Sequence, residues 1–172
     1  MAVVDENAAA LGVPRKQLME SSGNAVARRV REVADPGATV AIVAGRGNNG
    51  GDGFVAARFL DDFDVTVHLL GREASISTDI ARENWDALQH AGYDAREVRD
   101  SRDLDLGSPA VVVDAMLGTG VTGDPREPER SAIEAVNATD ATVVAVDVPS
   151  GVDADSGEAA DPAVDADHVV TF

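Results

Sequence analysis

The chain has 172 residues, 44% hydrophobic and 3% aromatic, enough for one core built from small side chains, chiefly Ala and Val. Its 31 acidic and 14 basic residues leave a formal net charge of −17, which argues against nucleic-acid binding. No apolar run approaches the roughly 18 residues of a membrane span, and the absence of Cys excludes disulfides and thiol chemistry.

The opening MAVVDENAAALG lacks the basic flank and apolar stretch of a signal peptide, so a cytoplasmic location is expected. Carboxylates are scattered among periodic apolar segments, so they cover a folded surface rather than a disordered tail. Asp outnumbers Glu 21 to 10, and Lys16 is the only lysine. Such a surface repels itself at low ionic strength and is screened at molar salt, where the Debye length is about 3 Å. The composition therefore points to a halophile's cytoplasm.

In chain order, amphipathic helices are expected over residues 3–11 and 15–34, separated by Pro14. The second turns Leu18, Met19, Ala25, Val26, Val30 and Val33 inward, and Asp35-Pro36-Gly37 stops it. Strand-like apolar runs then cover residues 39–44, 65–70, 110–113, 142–146 and 168–172, with a short strand near 96–98. Helices are expected over 53–60, 76–90 and 127–136. Runs of four to six small β-branched residues without in/out alternation read as parallel strands covered on both faces. The expected fold is a Rossmann-like, doubly wound α/β sheet, mostly parallel, with helices on both faces and no internal repeat or linker. The closing VVTF is a strand with no stop signal after it, which suggests a chain shorter than its natural domain.

Open α/β sheets bind ligands beyond the carboxyl ends of their strands. Three Gly-rich loops follow expected strands. The first, Gly45 to Gly53, contains G-x-G-x-x-G at Gly45, Gly47 and Gly50, weak evidence alone. Asp52 lies where the helix should begin, where it would repel pyrophosphate; it suits a ribose contact or a helix cap. Glu73 reads either as a ribose-binding acid or as part of a turn. The second loop begins with Asp114 at a strand end and continues through Gly118, Gly120 and Gly123, glycines suited to an anion nest or to a mobile turn. A strand-end Asp is costly to bury without a cation, which makes Asp114 a candidate metal ligand. The third loop sets Asp147 at a strand tip, then Pro149, Ser150 and Gly151. Its carboxylate and hydroxyl suit acid/base work or oxygen coordination, while an ST-turn is the ordinary role for Ser150. A Ser-His-Asp hydrolase fits poorly: there is no G-x-S-x-G, and His68, His90 and His168 lie in strands or at a helix end.

Together, GRGNNGGDGFVAARFL, VVVDAMLGTGVTGDPREP and VVAVDVPSGVDADSG, in this order, resemble the YjeF N-terminal domain family, whose enzymatic members are NAD(P)H-hydrate epimerases. Asp5, Asn7, Leu11-Gly12, Leu18-Met19-Glu20 and Gly23 also fit, although Ser21-Ser22 replaces a more usual Asn-Ala. The resemblance spans nearly the whole chain, as one domain, and implies that family domains continue past VVTF. It assigns Asn48, Asn49, Gly50, Gly51 and Asp52 to the hydrated dinucleotide, with Gly118, Thr119, Gly120, Val121, Thr122, Gly123 and Asp124. It gives Asp147 a substrate contact, and a potassium ion to Asn49, Asp114 and Ser150. The implied substrates are NADHX and NADPHX, whose R and S forms are interconverted so that a partner NAD(P)HX dehydratase can repair both. Asp147 is the expected proton shuttle. Two rivals stand beside this: a non-catalytic nucleotide-binding or dimerisation module, as in relatives among mRNA-decapping enhancers, with a homodimer as candidate assembly, and an NAD(P)-dependent oxidoreductase resting on the glycines alone.

Overall fold

Small β-branched side chains pack flat, and here they form one fully parallel sheet. Its strands are β1 (Thr39–Ala44), β2 (Asp64–Leu70), β3 (Asp94–Val98), β4 (Val111–Ala115), β5 (Thr142–Val146) and β6 (His168–Val170), in the order β3-β2-β1-β4-β5-β6. The computed structural model describes residues 12–120 and 123–172; the helix expected over residues 3–11 lies outside them.

Three helices cover one face: α1 (Arg15–Val33), α2 (Asn48–Phe59) and α3 (Asp79–Ala91). Val26 and Val30 of α1, Phe54 and Ala57 of α2, and Trp85 and Leu88 of α3 share a core with Ile42, Val67 and Val113 of the sheet. Phe54 and Trp85 stack at a tilt, centroids 5.3 Å apart, where most other contacts are aliphatic. The opposite face is covered by α4 (Glu129–Asn137), through Ala132, Ile133 and Val136, with Met116 and Val164. The doubly wound architecture expected from the sequence is therefore present.

Local signals set most boundaries. Pro14 occupies the α1 N-cap. Thr78 caps α3 by accepting from Ala81 N, so the helix starts at Asp79 rather than Ile76, and Gly92 ends it with φ 75°. α4 starts at Glu129, after Pro128, rather than at Glu127. The strand expected near residues 96–98 begins at Asp94, and the last strand stops at Val170.

Two departures bear on the site. The helix expected from Gly53 begins at Asn48. Glycine disfavours helix by about 1 kcal/mol per residue, but these glycines are demanded by close packing: a Cβ on Gly50 would lie 2.0 Å from the Gly45 carbonyl oxygen, and one on Gly53 2.8 Å from the Ala115 Cβ. The strand expected to close at Val113 continues through Ala115, with Asp114 paired to Val43 and Ala145.

Candidate active site

The tips of β1, β4 and β5 are neighbours, and between β1 and β4 the chain direction of sheet growth reverses. That crevice is where ligands bind in open α/β sheets. Gly45 N donates to Ala115 O at 3.0 Å, drawing the first two loops together.

Asp114 is fully buried. Its Oδ1 accepts from the Ser150 hydroxyl at 2.6 Å and Met116 N at 3.2 Å, and its Oδ2 accepts from Ser150 N at 2.7 Å. The Ser150 oxygen in turn accepts from Leu117 N at 2.9 Å, and Leu117 O accepts from Asn49 Nδ2 at 3.0 Å. The structure thus brings Asn49, Asp114 and Ser150 into one relay that links three loops through the peptide groups of Leu117. Ser150 spends its hydroxyl across the sheet rather than on an ST-turn. Burial pushes the Asp114 carboxyl up to about 6, against the opposing pull of the Ser150 and Met116 hydrogen bonds. A carboxylate, a hydroxyl and an amide are hard oxygen donors suited to a potassium ion, whose charge would offset the cost of an ionised buried Asp114. Among the described residues, no group of three His, Cys, Asp or Glu side chains is placed to hold a metal.

Asp147 adopts φ 69°, the one non-glycine positive φ among the described residues. Val148 N donates to Val146 O at 2.9 Å, so Asp147 is the centre of a γ-turn in its rarer, strained form, and its own N–H is held by Val170 O at 2.8 Å. The strain sets a half-buried carboxylate at the tip of β5, directly before Val148 and Pro149. Those two residues line a cavity of about 230 Å³ with Leu117, Gly118, Asp124 and Gly151.

The other expected residues fall into two groups. Asn48 is exposed on the first turn of α2, while Gly50 and Gly51 are buried, the latter against Met19. The Gly51 N–H is given to Gly47 O at 3.1 Å. Asp52 is half-buried within α2 and is not its cap, because the helix starts earlier and Gly47 holds the N-cap position. Thr119, Gly120, Gly123 and Asp124 are exposed, and Val121 and Thr122 lie outside the described residues. Glu73 sits in a short 3₁₀ turn with Oε2 accepting from Trp85 Nε1 at 3.1 Å, a structural engagement. Leu117 went unnoticed in the sequence because it works through its backbone. So did the Arg46–Glu129 pair, 2.9 Å across the β1 tip, although a cation inside a G-x-G turn was a visible signal.

The sequence model of the family described as YjeF-related protein N-terminus matches residues 15–172. The chain is 49% identical over 179 residues to the bifunctional NAD(P)H-hydrate repair enzyme Nnr of Methanothermobacter thermautotrophicus, covering 100% of this chain and 34% of that protein. It is 44% identical over 171 residues to the NAD(P)H-hydrate epimerase of Cenarchaeum symbiosum, covering 98% of this chain and 80% of that one. The crystal structure of the yeast protein YNL200c superposes with a TM-score of 0.85 at 28% identity, over 99% of this chain and 76% of that one. The chain spans about a third of the length of the bifunctional relatives it matches (34% and 33%).

Proposed function

The chain belongs to the YjeF-related N-terminal family, and from that premise we propose that it is an NAD(P)H-hydrate epimerase, an isomerase acting on NADHX and NADPHX in nicotinamide cofactor repair. The observation that carries the reading is Asp147, a strained, half-buried carboxylate immediately before two residues that line a cavity between two Gly-rich loops, in a chain similar to relatives of that name. The inverted carbon bears both a hydroxyl and the ring nitrogen. Asp147 gives a proton as the hydroxyl leaves as water, and recovers one as water adds to the other face; ring opening and reclosure would use the same shuttle. The backbone of Asn48 to Asp52 and of Gly118 to Asp124 would hold the dinucleotide.

Asn49, Asp114 and Ser150 would hold a potassium ion, which supplies positive charge that orders the three loops. The chemical partner is an NAD(P)HX dehydratase, a reading supported by relatives named as bifunctional repair enzymes. A cytoplasmic setting rich in salt fits the net charge of −17. Among the described residues, no helix is long and apolar enough to cross a membrane.

Two experiments test this. Chiral chromatography of R-NADHX incubated with the protein, corrected for spontaneous epimerisation, should show conversion that falls by roughly 100-fold or more in Asp147→Asn, with dinucleotide affinity little changed. An equally fast variant removes Asp147 from the mechanism. Unfolding in KCl and in choline chloride at matched ionic strength separates the two salt effects. Both salts should stabilise the acidic surface, and KCl should add an increment that Asp114→Asn abolishes. A midpoint indifferent to salt refutes the halophilic reading, and an ion response unchanged in the variant refutes the potassium site.

A further inference from the structure

A dinucleotide can lie on these loops in two directions, and charge distinguishes them. On the β4–β5 side, Asp124, Asp153 and Glu158 line the cavity and would repel phosphate. On the β1–β2 side, the strand tips carry arginines. The Arg46 side chain runs over Gly71, where a Cβ would lie 3.0 Å from its Cδ. It is 42% exposed although it pairs with Glu129.

Arg72 is the second residue past β2 and is exposed. Its carbonyl is fixed by Ser75 N at 2.9 Å and Ser75 Oγ at 2.6 Å, while its guanidinium forms no hydrogen bond or ion pair within 4 Å among the described residues and acts on the Glu97 carboxylate only through its charge. The neighbouring acid does not compete for the same place. Glu73 turns its carboxylate onto the buried Trp85 indole and gives its N–H to Glu97 Oε1 at 2.7 Å. In sheets of the order 3-2-1-4-5-6, the ribose of a dinucleotide reaches the second strand's tip, where a carboxylate receives a free 2′-hydroxyl and an arginine accommodates a 2′-phosphate. Here the residue at that tip with a fixed backbone and an exposed side chain whose hydrogen bonds are uncommitted is the arginine.

We propose that Arg72 contacts the 2′-phosphate and makes NADPHX the preferred substrate, with the adenosine end over β2 and the hydrated ring over β5 beside Asp147. This rests on the epimerase reading of the same site. The guanidinium fork matches a phosphate with two parallel hydrogen bonds, a contact that a free hydroxyl cannot offer.

Initial epimerisation rates on NADHX and NADPHX, at one KCl concentration, test it in the parent, Arg72→Gln, Arg72→Glu and Arg28→Gln. The last removes one charge from the exposed side of α1 as a control. The parent should favour NADPHX in kcat/KM. Arg72→Gln should raise the KM for NADPHX by roughly tenfold, with kcat and the NADHX constants nearly unchanged. Arg72→Glu should reverse the preference, and Arg28→Gln should alter neither substrate. Equal effects on both substrates, or none, overturn the assignment. Calorimetric binding of NADPH and NADH to the same variants separates the two readings. Discrimination that depends on Arg72 without turnover of either substrate keeps the subsite and removes the epimerase; turnover without such discrimination removes the subsite alone. Neither binding nor turnover removes both.

Discussion

The loops after β1 and β4 share a glycine-rich composition and differ in what the glycines do. After β1 all but the open Gly47 are packing devices: a Cβ on Gly45 would lie 2.0 Å from Met116 O, and one on Gly50 2.0 Å from Gly45 O. After β4 the space is open, with nothing within 4 Å of a Cβ on Gly120 or Gly123, and ordinary contact at Gly118. The first loop is a wedge that clamps the start of α2 onto the sheet. The second is an exposed rim whose inner edge is held by the Asp114, Ser150 and Leu117 hydrogen bonds. Glycine content therefore reports neither mobility nor phosphate binding; the neighbouring atoms decide.

The largest expected effect separates these two roles. Gly50→Ala must displace backbone rather than a side-chain tip, so urea unfolding should show a loss of about 3 kcal/mol or more. Gly120→Ala meets open space at an unexceptional φ, so stability should hold or rise by about 0.4–1 kcal/mol through the unfolded chain. Similar losses in both variants would erase the contrast.

A smaller effect sharpens it at the third loop. The φ of 69° at Asp147 costs on the order of 1 kcal/mol, a cost that glycine does not incur. Asp147→Gly should thus raise the unfolding midpoint while abolishing epimerisation, and Asp147→Asn should lose the activity without the gain. A glycine variant less stable than the parent would mean that the Asp147 side chain supports the loop rather than straining it.

The contrast also explains what the sequence disclosed. Strand positions were legible because β-branched runs such as Thr142 to Val146 have few alternatives once buried on both faces. The start of α2 was not, because Asn48 to Gly53 has poor helix propensity and becomes helical only by fitting under Gly45 and against Ala115. Asp114 looked like the end of β4 because an acid inside a buried strand is unfavourable; Ser150, from a segment 36 residues away, is what makes it tolerable. The three candidate ion ligands were legible as a family pattern. The peptide groups of Leu117 that connect them, the Arg46–Glu129 pair and the left-handed backbone of Asp147 come from tertiary geometry and leave little mark on residue type.

The smallest effect concerns how the open side keeps its shape without packing. Asp153, which lines the cavity, accepts from Ser156 N at 2.8 Å, Ser156 Oγ at 3.0 Å and Asp155 N at 3.0 Å. Those bonds, the Ser156 backbone first, hold its carboxyl below the usual aspartate range of about 3.8. The sign follows from linkage: a group whose folded pKa is depressed contributes fully above its unfolded value, and its contribution is lost as pH falls through the folded one. The turn over residues 153–158 should therefore stay closed at neutral pH and loosen only below the ordinary aspartate range, whereas the packed loop after β1 should be indifferent. Hydrogen exchange in peptides spanning residues 153–158 and 45–53, followed from neutral pH to about pH 3, should show protection falling first in the former after correction for intrinsic exchange. Asp153→Asn at neutral pH should loosen the same peptide, since a neutral amide oxygen accepts these three bonds more weakly. Equal protection in parent and variant would show that the turn is held by its backbone bonds alone, Gly157 N to Asp153 O and Asp153 N to Glu158 O.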